Sequence, residues 1–237
     1  MVSHFGEVIF PSSRAFWDDE DEYEPANFQH SSKLYIRWLK NKPEHIQKFI
    51  VIEGDPLIPL VVQYLYSKTE ACIIEDENQK KVSVIYHIDK QKYMCMILPQ
   101  FDTRNAGKLI NQISDIIQIS ENMISIICRH VSQFQNTNIA EIPSFLRTLV
   151  TKNENLKKWK TELLEQPNIV FGVGAGVLSY AELMGMSAKL YVFYIDSLVL
   201  DSKCAEPIIQ ILTNEISCTL QQPKFVENSF NKGNLYM

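Results

Sequence analysis

Lys48-Phe49-Ile50-Val51-Ile52-Glu53-Gly54-Asp55-Pro56 carries two structural signals back to back. The apolar run is unbroken rather than alternating, which suits a strand covered on both faces. Gly54-Asp55-Pro56 then closes the strand and opens a helix. Asp55 is placed to cap it, and Pro56 suits the first helical position, where its missing N–H costs nothing. Leu57, Leu60, Val61 and Tyr64 follow at helical spacing. A strand–turn–helix unit of this kind is the start of a layered α/β domain.

The flanking sequence extends that reading. Upstream, the aromatic-rich Ser31 to Leu39 is predicted to lead into the fold as a strand. Downstream, Val82 to Ile88 and Tyr93 to Leu98 read as strands, and Asp89-Lys90-Gln91-Lys92 is short enough to join them in an antiparallel hairpin. Ala106, Leu109, Ile110, Ile113, Ile116 and Ile117 recur at steps of three and four, one apolar stripe of a helix. Met123 to Cys128 is a further strand, while Phe145 to Leu149 and the lysine-rich stretch to Trp159 fit neither period. After Pro167 come a short apolar run, Asn168 to Phe171, a glycine cluster, and a small-residue helix from Ala175 to Met184, closed by Gly185. Lys189 to Asp196 reads as a strand and Cys204 to Ile216 as the last helix, with Ile208, Ile209, Ile211, Leu212 and Ile216 facing the core. The expected fold class is α/β: a mixed β-sheet with helices on both faces, in one domain from 31 to 222. An acidic N-terminal segment, 1–30, and a flexible C-terminal tail, 223–237, flank it.

Composition narrows the function. The chain has 237 residues, 46% hydrophobic and 22% charged, an ordinary globular balance. A net charge of -5 argues against nucleic acid as a partner. No apolar run approaches the roughly 20 residues that span a bilayer, and Met1 to Glu7 lacks the features of a signal peptide, so no membrane insertion is expected. Five cysteines at irregular gaps, with no CxxC, point to a reducing compartment, the cytosol or nucleus. The acidic run Asp18 to Glu24 reads as a solvated stretch.

Few residues offer chemistry. Gly172-Val173-Gly174-Ala175-Gly176 stands ahead of a helix and could cradle a phosphate there, with Asp196 as an acidic residue about 20 positions on. The spacing is GxGxG, not GxGxxG, and a tight strand-to-helix turn with close packing is the preferred reading. A nucleotide-binding or phosphorylase-like α/β enzyme using Gly172 to Gly176 is the alternative reading. Cys128 and His130, two apart at a strand end, share a face but lack a third group to orient a base. The five histidines show no metal-ligand spacing, and GxSxG and HExxH are absent. No catalytic residue, cofactor site or metal site is assigned, and an enzyme is not expected.

The last three residues, Leu235-Tyr236-Met237, follow a polar run and combine an apolar side chain, a phenol and a terminal carboxylate. Such an end is a portable ligand: the apolar group fills a pocket and the carboxylate seeks a cation. The chain behind it supplies a context. Leu164-Glu165-Gln166-Pro167-Asn168-Ile169-Val170, followed by Val177-Leu178-Ser179-Tyr180, closely resembles the C-terminal half of the proteasome assembly chaperone 1 family. Phe5-Gly6-Glu7-Val8, Cys128-Arg129-His130-Val131, Phe145-Leu146-Arg147 and the terminal hydrophobic-Tyr-X triplet resemble it in the same order. The resemblance implies a three-layer α/β/α sandwich and a non-enzymatic chaperone without a cofactor. It implies a heterodimer with proteasome assembly chaperone 2 on the proteasome α-subunit ring, promoting ring assembly and preventing off-pathway ring dimers. It also implies that Leu235, Tyr236 and Met237 enter a pocket between α subunits. From Pro223 to Met237 the tail reaches up to roughly 50 Å if extended.

Overall fold

The structure, a computed structural model, describes residues 33–65, 68–136, 144–154, 161–197 and 200–216. The strand read from the opening stretch is β2, Ile46–Glu53, and it lies inside an eight-stranded sheet. Its apolar run is unbroken because both faces are covered. Phe49 and Val51 pack with Leu109, Ile113 and Ile117 of α2 (Ala106–Gln118) and with Val177 and Ala181 of α3 (Val173–Leu183). Ile50 and Ile52 pack with Leu60 and Val61 of α1 (Ile58–Leu65) and with Ala205, Ile208 and Leu212 of α4 (Ser202–Ile216). The result is the expected α/β/α sandwich. Burying the α2 stripe of Leu109, Ile110, Ile113, Ile116 and Ile117 contributes roughly 7–15 kcal/mol before chain entropy is subtracted.

The remaining strands are β1 (Tyr35–Trp38), β3 (Thr69–Glu75), β4 (Lys81–Asp89), β5 (Lys92–Ile97), β6 (Ser120–His130), β7 (Ser144–Val150) and β8 (Ser187–Ile195). Their order is β1-β3-β4-β5-β2-β6-β8-β7. β2 is parallel to β5 and β6, and β6 to β8, whereas β4 and β5 form the expected antiparallel hairpin. β1 pairs antiparallel with β3, and β7 antiparallel with β8, at the two sides of the sheet. β3 had no counterpart in the periodicity, and β7 resolves the ambiguous Phe145–Leu149 stretch as a strand.

Two local expectations change. Asp55 does not cap: residues Asp55–Leu57 form a 3-10 turn after Gly54, with no side-chain capping bond. Gly54 has φ +124°, and a Cβ there would lie 2.7 Å from Cβ of Cys128, so the turn is set by how closely β6 approaches. Asn168 to Phe171 belongs to no strand; this run crosses over the sheet as irregular chain into α3. Gly185 ends α3 as expected, with φ +67°.

Candidate functional site

A doubly wound sheet reverses direction beside its first buried strand, and ligands of such folds sit outside the carboxyl ends of the strands at that point. Here the chain leaves β2 on one side to build β3, β4 and β5, then crosses through α2 to β6 on the other side. The reversal therefore lies between the ends of β2 and β6, which carry Glu53 and Arg129. These two side chains fill it. Glu53 Oε1 accepts from Nη2 of Arg129 at 3.0 Å, and Oε2 accepts from the Gly174 N–H in the first turn of α3 at 2.9 Å. The Glu53 side chain is only 5% exposed. Arg129 also donates to the carbonyls of Phe171 at 2.6 Å and Cys128 at 3.0 Å, and its guanidinium lies 4.7 Å from the Phe171 ring centre.

This geometry answers the phosphate question. The N-terminus of α3 attracts an anion, as the glycine cluster suggested, but the anion is the chain's own carboxylate. Gly172 has φ +100°, and a Cβ there would fall 2.1 Å from Glu53 Oε1. Gly174 approaches Ile127, and Gly176 approaches Ile110. The GxGxG spacing is a packing device around Glu53, not an open cradle. Asp196, the acidic residue paired with that idea, follows β8, where its carbonyl meets Nε2 of His130 at 3.2 Å.

The segment that leads into α3 forms a second layer of the site. Glu165 accepts from Asn136 Nδ2 at 2.6 Å and from Arg147 Nε at 3.3 Å. Its own backbone N–H does most to hold the carboxyl below the usual range, against desolvation, with smaller help from Asn136 and Arg147. Asn168 accepts from the Gln135 N–H at 2.7 Å and donates to the Gln135 and Glu165 carbonyls. The Gln166–Pro167 bond between them is cis. Phe134 and Phe145 meet edge to face, with ring centres 5.0 Å apart, and the Arg147 guanidinium lies against both, at 5.3 and 5.0 Å, and pairs with Glu162 at 2.9 Å. Beneath lie Ile127, Leu190, Val192 and Tyr194, with Val170 and Leu178 packed against them.

Four separated blocks of the sequence therefore meet here: Cys128 to Val131, Phe145 to Arg147, Leu164 to Val170 and Val177 to Tyr180. In and beside them three large apolar side chains are exposed: Leu163 54%, Ile169 84% and Phe171 55%. They border a cleft of about 300 Å³ lined by Arg129, Gln133, Gln135, Ile169, Phe171 and Tyr194.

A second cluster sits at the opposite ends of the strands. Glu215, in the last turn of α4, accepts from Lys48 of β2 at 3.0 Å, from Lys189 of β8 at 3.3 Å and from the Tyr191 hydroxyl at 3.2 Å. Lys48 also donates to the Glu215 carbonyl at 2.7 Å, and Glu154 lies 3.8 Å from Lys189. Burial alone would raise the Glu215 carboxyl; the hydrogen bond from Lys48 and the charges of both lysines outweigh it and hold the carboxyl low. Burial, with the Glu215 charge beside it, pushes the Tyr191 phenol up. The cluster pins the end of α4, from which the C-terminal segment departs.

Cys128 and His130 do not form a catalytic pair. Cys128 is buried, and desolvation pushes its thiol up to about 12. His130 is exposed; it accepts the Ser132 N–H at Nδ1 and turns Nε2 to the Asp196 carbonyl. Among the described residues no group of His, Cys, Asp and Glu could hold a metal ion, and no helix is long and apolar enough to cross a membrane. Leu235, Tyr236 and Met237, together with the segment 1–30, lie outside the described residues.

Comparison with known proteins settles the family. The family model described as proteasome assembly chaperone 4 matches residues 70–232. Proteasome assembly chaperone 1 of Callithrix jacchus is 37% identical, covering 90% of this chain and 88% of that protein. The chain belongs to the proteasome assembly chaperone family. Its members also include proteasome assembly chaperone 1 of Bos taurus, 36% identical, and of Homo sapiens, 25% identical, each over 90% of this chain and 88% of the relative. The fold has the same affinity. Pyrococcus furiosus PbaA, an archaeal homolog of proteasome-assembly chaperone, superposes with a TM-score of 0.59 at 10% identity, covering 78% of this chain and 83% of that one. PbaB of the same organism, an archaeal proteasome activator, gives 0.58 at 12% identity over 80% and 91%.

Within this chaperone, sequence reasoning missed Glu53, Lys48, Lys189 and Glu215 as site-forming residues. One signal was available: Glu53 ends a run expected to be buried on both faces, and a buried carboxylate demands partners.

Proposed function

We propose that this protein is a proteasome assembly chaperone subunit that forms a heterodimer with proteasome assembly chaperone 2. In this reading the heterodimer binds the 20S α-subunit ring, promotes its assembly and prevents off-pathway ring dimers. The observation that carries the reading is the match to proteasome assembly chaperone 1 across 90% of the chain. Leu235-Tyr236-Met237 is the docking plug: Leu235 and Tyr236 fill a pocket between α subunits, and the Met237 carboxylate pairs with a cation there. Support for the plug comes from the Glu215 cluster, which gives the C-terminal segment a fixed origin. A ligand tethered to a docked body gains through effective concentration, so the plug can be weak by itself. The protein acts without catalysis or cofactor, in the cytosol or nucleus. The rival nucleotide-binding reading has lost its anion site to Glu53.

The test is a co-assembly assay with chaperone 2 and purified α subunits. Deleting Met237, replacing Tyr236 by Ala, or extending the chain beyond Met237 should each weaken ring binding about tenfold or more while leaving the heterodimer intact. Undiminished ring binding by all three variants would remove the plug from the reading. Failure of the unaltered protein to pair with chaperone 2 or to bind α subunits would overturn the reading itself.

A further inference from the structure

The crevice at the reversal point is occupied, and its occupant is a carboxylate. Two donors hold Glu53: Arg129 Nη2 at 3.0 Å and the Gly174 N–H at 2.9 Å. Neither donor depends on Glu53 for its own position. Arg129 is fixed independently by the carbonyls of Cys128 and Phe171 and by the Phe171 ring, and Gly174 is fixed by the helix it belongs to. The guanidinium keeps a further donor, Nε, that is buried and has no hydrogen-bond partner among the described residues. The space beside the carboxylate is kept clear by Gly172, where any side chain would strike Oε1. Four features therefore converge on one small volume: a cation, a helix N-terminal amide, a side-chain-free wall and a bound carboxylate.

We propose that Glu53 is a built-in ligand, and that the crevice it fills is a preorganised site for a small carboxylate of the formate or acetate class. Removing the Glu53 side chain beyond Cβ leaves both donors in place and strands the Arg129 charge, which is 14% exposed, without its counter-ion. A buried guanidinium facing a helix N-terminal amide is then an anion receptor, and its two donors, Arg129 Nη2 and the Gly174 N–H, are spaced to meet the two oxygens of one carboxylate, which a spherical halide cannot match. In the unaltered protein the Glu53 carboxylate joins β2 to Arg129 of β6 and to the first turn of α3, beside the Phe171 carbonyl that Arg129 also meets.

The experiment is thermal unfolding of full-length Glu53→Ala and Glu53→Gln in formate, acetate and chloride at equal ionic strength. Both substitutions should lower Tm by roughly 10 °C, the consequence of leaving a buried charge unpaired. For Glu53→Ala, formate should restore at least half of that loss, saturating with concentration, and chloride should not. For Glu53→Gln, whose amide still fills the crevice, and for the unaltered protein, formate and chloride should give the same Tm. Should Glu53→Ala fail to fold without additive, recovery of soluble folded protein in formate but not in chloride is the equivalent result. Equal response of Glu53→Ala to formate and chloride, in Tm or in recovery, would overturn the proposal, as would a formate-specific shift in Glu53→Gln.

Discussion

Gly172 and Gly176 stand four residues apart in one glycine cluster, yet the same substitution meets different obstacles at each. At Gly172 a Cβ falls 2.1 Å from the Glu53 carboxylate, at φ +100°, where an L side chain is strained in any case. The carboxylate cannot retreat without losing Arg129 or the Gly174 amide. At Gly176 a Cβ meets Cδ1 of Ile110, the free end of a flexible side chain, at a negative φ in mid-helix. Gly172→Ala should cost about 3 kcal/mol or more in urea denaturation, and Gly176→Ala about 1 kcal/mol or less, since helix propensity offsets part of the repacking. Similar losses from the two would sink the view that Gly172 is there for Glu53. At this scale the sequence was half legible. The cluster was visible as a helix N-terminus with an anion, because glycines before a small-residue helix say so. The anion's identity was not visible, since Glu53 lies 121 residues from Gly174 and 76 from Arg129.

Among elements, α4 is held at its far end by charge as well as by its apolar stripe. Lys48, Lys189 and Glu215 are each less than a quarter exposed, and Glu215 faces both lysines. Glu215→Gln should cost about 2–3 kcal/mol at neutral pH by removing the carboxylate that both lysines face, although Lys48 keeps the Glu215 backbone carbonyl and Lys189 keeps Glu154. The sign of the pH dependence follows from the lowered carboxyl: its stabilisation is complete above the ordinary glutamate range and is lost as pH falls through the lower folded value. Urea titrations from neutral to acid pH should show the gap between the two proteins constant at first, then closing. A gap that does not narrow at all as pH falls below the ordinary glutamate range would contradict the ion cluster as its source. Elements with a long unbroken apolar run, such as β2 and β8, or a strong period, such as α2, were readable directly. β7 was not, because it is a border strand whose Arg147 is half-buried against Phe134 and Phe145, a pattern neither alternating nor helical. β3 escaped because its apolar Ala71 to Ile74 core is only four residues between charged flanks.

Taken whole, the molecule places its two polar clusters at opposite ends of the same strand. Lys48 near the start of β2 receives the end of α4; Glu53 at its close receives α3 and the Phe171 carbonyl. Five residues of extended chain separate them, about 17 Å. The layered architecture was legible from hydrophobic pattern alone, since an unbroken apolar strand requires helices on both sides. The division of the two ends was not, because it depends on which strands lie side by side. β2 is thus a strut with an independent fitting at each end. One fitting sets where the C-terminal segment begins, the other how the Ile169–Phe171 surface is presented, and neither shares a side chain with the other. Glu53→Gln and Glu215→Gln should then be additive in stability to within about 0.5 kcal/mol, as measured by a double-mutant cycle. Departure beyond that would mean that strain crosses the strand. Additivity would give the chaperone two separately adjustable handles, so that its grip at one end can change without disturbing the other.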